Sequence, residues 1–250
     1  MAPAPLKNDS KHVNVVLTGF EPFGSHKTNP SWLSIASLDN TILDLPEFKN
    51  DNNENNKEPQ YAYITAHELP VEYHKVPTLI SALHSQQKAA TACAEVGECE
   101  AKNVKTYYIH VGVGRASSFT VETLAHRTGY GAPDNASYQP PSKEVPPVEG
   151  YEFDPELLET TVDTLELAEY LKQEKGWLCE QSKNAGLYLC EYTFYLSMVE
   201  RHRRIAAAPN AGTSDRVCLF VHVPTVGNPY SLEEIQQFVR DVIGRVVTMY

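Results

Sequence analysis

The chain has 250 residues, 42% of them apolar and 21% charged, enough to bury one sizeable core. Its formal net charge of -11 argues against a phosphate backbone as partner, because basic patches must hold one, so no nucleic-acid role is expected. The opening MAPAPLKNDS has no apolar leader segment, and no window approaches the roughly 20 apolar residues of a membrane span, so a cytoplasmic chain without membrane contact is expected.

Residues 1–12 read as a flexible N-terminus. Val13–Thr18 is apolar and β-branched and is bounded by Gly19, which predicts a buried first strand. The loop Gly19-Phe20-Glu21-Pro22-Phe23-Gly24 carries two aromatics among turn-formers, and Asn29-Pro30 can cap and open a helix with Trp32, Ile35 and Leu38 on its apolar face. Residues 46–60 are nearly all polar and read as a solvated insertion. Tyr61–Leu69 predicts a second strand, Val76–Ala92 a helix, and Val104–Val113 a third, central strand. The five prolines between Gly131 and Val148 predict irregular chain.

Further on, Glu156–Lys172 is amphipathic and predicts one or two helices. Ala185–Cys190 reads as a strand feeding a helix over Glu191–His202, and Val217–Val223 as a last strand. Ser231 and Glu234 form a capping-box pattern that opens a final helix. Strands alternating with helices in this way predict a three-layer α/β domain spanning residues 1–250.

The five cysteines (Cys93, Cys99, Cys179, Cys190 and Cys218) are odd in number and irregularly spaced, as free thiols of a reducing compartment are. Cys93 and Cys99 lack a matching second pair, so no metal site is expected. Cys190 stands where a strand gives way to a helix, where the helix N–H groups favour thiolate and can receive an oxyanion; it can equally be a small core residue. His222 lies near the carboxyl end of an apolar strand, where α/β ligand crevices open, and reads as a base or as a satisfied core histidine. Glu122 is either a buried carboxylate paired with an imidazole or an exposed loop acid. Phe20 and Phe23 either plug the core or line a pocket for a flat, uncharged ring.

Together these segments resemble the pyroglutamyl-peptidase I family, over roughly Val13 to Ile243 and closer to its eukaryotic type. The motifs are Leu17-Thr18-Gly19-Phe20-Glu21-Pro22-Phe23-Gly24 with Asn29-Pro30-Ser31-Trp32, then Leu69-Pro70-Val71-Glu72-Tyr73 and His110-Val111-Gly112-Val113. Ala185–Cys190 and Phe220–Pro224 complete the set in order. The resemblance implies a single α/β/α sandwich with a twisted mixed sheet, similar to nucleoside phosphorylases. It also implies a cofactor-free cysteine peptidase acting on peptides with N-terminal pyroglutamate, expected as a monomer. Carried over by position, Cys190 is the nucleophile, His222 its base and Glu122 the orienter, while Phe20, Phe23, Asn29 and Val113 serve the substrate. Asn29 reads equally well as a helix cap alone.

The sequence departs from the family in several places. The segment from Gly112 to Glu122 is one residue short and carries Arg115; Val113 replaces a bacterial glutamine; Gly131 stands where bacterial members have an arginine, with Arg127 the nearest basic substitute. The long spacing from Cys190 to His222 predicts an added surface loop around Arg201–Asp215. The altered Gly112–Glu122 loop keeps open a non-catalytic relative that binds pyroglutamyl peptides or another small ligand through the aromatic loop. A nucleoside phosphorylase is the weaker reading, because no phosphate-binding constellation is evident.

Overall fold

A computed structural model describes residues 12–24, 27–45, 61–85, 104–114, 117–148, 151–152, 155–207 and 216–250. The expected N-terminal arm (but for His12), the polar insertion, Arg115, Cys93, Cys99 and the far end of the second helix lie outside them.

β1 (His12–Phe20) is buried on alternate residues and pairs in parallel with β3 (Tyr61–Leu69) on one side and β4 (Thr106–Val113) on the other. β4 is central, as its apolar run predicts, and pairs in parallel with β9 (Arg216–Val223). Two antiparallel contacts make the sheet mixed. β2 (Thr41–Asp44) runs against β3, and β5 (Phe119–Glu122) runs against β9 before pairing in parallel with β8 (Cys179–Ser182). The described order is β2-β3-β1-β4-β9-β5-β8. β6 (Leu124–His126) and β7 (Leu157–Glu159) form a separate antiparallel pair.

Strand alternation divides the core between the two faces of the sheet. Val15, Leu17, Ile109, Val111, Leu219 and Val221 face the layer of α1 (Pro30–Ile35), α3 (Thr164–Gln173) and α5 (Leu232–Met249). Tyr108, Cys218 and Phe220 face α2 (Val76–Ser85) and α4 (Leu189–Ala207). The result is the expected α/β/α sandwich. α5 earns its place by pattern: Ile235, Phe238, Val239, Val242, Ile243 and Val246 form one buried stripe, and the Ser231–Glu234 capping box closes its start. In α4 every residue from Leu189 to Glu200 except Cys190 is buried, because the sheet covers one side and α2 and β6–β7 the other.

Gly19 allows α1 to sit against the end of β1, since a Cβ there would lie 2.7 Å from the Trp32 backbone. Asn29 caps α1 through Ser31 N–H, and Pro30 occupies the first turn.

Three expectations change. Ala185–Cys190 is not a strand: Gly186 (φ 99°) and Leu187 (φ 48°) enter the left-handed region, so the chain turns, and Cys190 already lies in the first turn of α4. The stretch 156–172 is not wholly helical, because Leu157–Glu159 pairs with β6 as β7 and α3 begins only at Thr164. Residues 201–207 of the loop expected around Arg201–Asp215 are helical, since α4 continues through Ala207, and the remainder lies outside the described residues.

Candidate active site

The site lies at the carboxyl ends of β4 and β9, on the α4 side of the sheet. Alternation along β9 turns His222 to the same face as Cys218 and Phe220, and alternation along β5 turns Glu122 away from the Phe119 and Val121 face. The antiparallel register sets Glu122 opposite Phe220 and Thr120 opposite His222. The imidazole Nδ1 and Glu122 Oε1 meet at 2.8 Å, and Thr120 Oγ1 donates to the same oxygen at 3.1 Å.

Cys190 lies in the first turn of α4 and acts on the same imidazole. Gly112 is the floor. A Cβ there would sit 2.9 Å from Cys190 Sγ, 2.9 Å from His222 Cδ2 and 2.8 Å from Phe220 Cζ. Cys190 and His222 thus meet over a glycine that leaves room for them, with Glu122 bonded to the imidazole. Both His222 and Glu122 are buried, whereas Cys190 is only partly so and remains reachable from solvent.

Burial alone would pull the His222 imidazole down, but its hydrogen bonds to Cys190 and Glu122 push it up to about 9. Burial would likewise raise the Glu122 carboxyl, yet the bonds from His222, Ser182 and Thr120 hold it below the ordinary carboxylate range. Burial pushes Cys179 up to about 12 and Cys218 up to about 11, as befits inert core residues. His110, the alternative histidine, is fully buried against Thr18 at 2.7 Å and drawn down to about 3 by desolvation. It belongs to the core. Among the described residues, no three His, Cys, Asp or Glu side chains group to hold a metal.

A second carboxylate, missed by sequence reasoning, braces the chain that leads to Cys190. Glu191 is fully buried; its Oε2 accepts from Leu187 N–H at 3.0 Å, and its Oε1 takes His126 N–H at 3.0 Å and His126 Nδ1 at 2.7 Å. It therefore ties the left-handed turn before Cys190 to β6. The available signal was an acidic residue in the first turn of a helix, here hidden by the strand assigned just before it.

The remaining candidates fall around this centre. Phe20 is buried, while Phe23 is half-buried and packs its ring 6.3 Å from Tyr188, two residues before Cys190. Asn29 is buried and heavily engaged. Its Oδ1 accepts from Ser31 N–H and Oγ, and its Nδ2 donates to Glu21 O at 3.0 Å, so it pins the aromatic loop as well as capping α1. Val113 closes β4 opposite Val223. Arg127 pairs with Glu144 at 2.5 Å and Glu156 at 3.5 Å beside β6.

The family model for pyroglutamyl peptidase matches residues 13–232, nearly the whole described fold. The chain belongs to the pyroglutamyl peptidase family. Human pyroglutamyl-peptidase 1 is 28% identical over 237 residues, covering 94% of this chain and 90% of that protein. Pyrrolidone-carboxylate peptidase of Clavibacter michiganensis is 30% identical over 222 residues, covering 88% of this chain and 80% of that protein. Pyroglutamyl peptidase I of Bacillus amyloliquefaciens superposes with a TM-score of 0.68 at 22% identity, over 94% of this chain and 95% of that one. A mutant pyrrolidone carboxyl peptidase from Pyrococcus furiosus gives 0.66 at 23%, over 95% and 99%. At such identity the two structures speak for the fold. Among the described residues, no helix of this family member is long and apolar enough to cross a membrane.

Proposed function

We propose that this peptidase cleaves the bond after an N-terminal pyroglutamate, with Cys190 as nucleophile, His222 as acid and base, and Glu122 as orienter. The observation that carries the reading is the meeting of Cys190 and His222 over Gly112, with the 2.8 Å Glu122–His222 bond leaving the far ring nitrogen for Cys190. The relatives named for pyroglutamyl or pyrrolidone-carboxylate hydrolysis point to the same substrate class.

Cys190 sulfur attacks the pyroglutamyl carbonyl, and His222 gives its proton to the departing amine. Water then takes the amine's place, loses a proton to His222 and releases pyroglutamate. Glu122 holds the imidazole in one tautomer and stabilises its charged form. The lactam ring carries no α-ammonium, so a neutral, aromatic pocket suits it. Phe20, Phe23 and Val113 supply that lining, and Asn29 fixes the loop that bears the two phenylalanines. We read residues 1–250 as a single peptidase domain acting as a monomer in the cytoplasm.

The test is release of a fluorogenic amine from a pyroglutamyl amide. The parent protein turns over and Cys190→Ala does not. A folded parent without turnover, or turnover surviving in Cys190→Ala, contradicts the reading.

A further inference from the structure

We propose that the Tyr73 hydroxyl donates a hydrogen bond to the oxyanion formed when Cys190 attacks the substrate carbonyl. This rests on the peptidase reading above. Tyr73 follows β3 in the turn before α2, and its backbone N–H donates to Asp134 Oδ2 at 2.9 Å. Three tyrosine rings grip its own edge-on, with centroids at 5.0 Å (Tyr192), 5.9 Å (Tyr188) and 6.3 Å (Tyr130). Tyr188 and Tyr192 bracket Cys190 on either side in sequence, and Cys190 packs against the cluster that holds Tyr73. The ring is thus fixed in the same cluster that Cys190 packs against.

Its hydroxyl is the odd member of the nest. Tyr73 is 1% exposed, yet its oxygen has no hydrogen-bond partner among the described residues. Of the three neighbours, Tyr130 donates to His126 O and Tyr188 to Pro133 O at 3.1 Å. Buried hydroxyls rarely stay unpaired without a purpose. Burial first, then Tyr188, Asp134, Tyr192 and Cys190, push the phenol well above its usual range, so it keeps its proton and lies within the field of the nucleophile.

A donor fixed in an apolar nest is suited to charge that appears only in the transition state. As the Cys190 sulfur–carbon bond forms, the carbonyl π pair moves to oxygen, which accepts from Tyr73. When the tetrahedral intermediate collapses, that pair re-forms the carbonyl and the carbon–nitrogen bond breaks. The amine takes the His222 proton, and Tyr73 keeps its own throughout.

Tyr73→Phe preserves the ring and removes the donor. Its kcat on a pyroglutamyl amide is expected to fall about 10–100-fold with KM little changed, and the inhibition constant of the aldehyde analogue of pyroglutamate, whose adduct carries the same oxygen, to rise in step. An unchanged kcat, or a raised KM alone, overturns the proposal. If Tyr73→Phe fails to fold, fluorinated tyrosine at position 73 keeps ring and hydroxyl; kcat that ignores the altered donor acidity also overturns it. A parent without turnover sinks the peptidase reading and this proposal with it, whereas retained kcat in Tyr73→Phe beside an active parent sinks the proposal alone.

Discussion

Glu122 and His222 share a proton economy that pH can probe. With the imidazole held up to about 9 by Cys190 and Glu122, the charged pair persists through neutral pH and breaks when the proton leaves. kcat/KM is therefore expected to fall as pH rises past about 9, as one apparent step of a coupled system. Stability follows the same sign: the folded value lies above the ~6.5 of an unfolded histidine, so the pair's contribution is complete below ~6.5. It is lost as pH rises through about 9. Glu122→Gln should move the alkaline limb to lower pH and reduce kcat about 10²–10⁴-fold, because the imidazole loses both its charge partner and its fixed tautomer. An unmoved limb in a pH–rate profile would remove Glu122 from this role. Gly112→Ala probes the floor. Its Cβ must displace Cys190, His222 or Phe220, so kcat should drop while the overpacked core loses about 1–3 kcal/mol in denaturant titration.

At the scale of elements, the turn and first helical turn that present Cys190 depend on Glu191. Glu191→Ala leaves the Leu187 N–H and His126 without their buried acceptor, a loss of about 0.5–1.5 kcal/mol for each hydrogen bond. Activity should fall along with stability, since the turn before Cys190 is released; thermal unfolding and turnover measured on one preparation check both. The same region marks where the sequence ran out. Ala-Gly-Leu-Tyr-Leu-Cys looks like a short apolar strand, and nothing local announces that Gly186 and Leu187 adopt positive φ. β5 was illegible for a related reason. Its four residues become a strand by pairing with β9 and β8, partners remote in sequence. Long patterned elements such as β1, β4, β9 and α5 were legible because both faces of a strand, or one stripe of a helix, carry their burial directly in residue type.

For the molecule as a whole, the layer order was readable from alternating strands and helices, and the site from ordered family motifs. The face each side chain takes was not, because it follows from register across the sheet. The core also couples the distant helix α5 to the site: Phe238 stacks on Phe119 at 3.8 Å, and Phe119 opens the strand that carries Glu122. Phe238→Ala should cost about 3–5 kcal/mol in chemical denaturation. The central claim is that Cys190 alone among the thiols does the chemistry. Partial alkylation followed by peptide mass mapping tests it most directly, with residual turnover of a pyroglutamyl amide read on the same samples. Activity is expected to fall in proportion to the label on Cys190, with the buried Cys179 and Cys218 spared. Full activity in protein whose Cys190 is completely labelled would contradict the account.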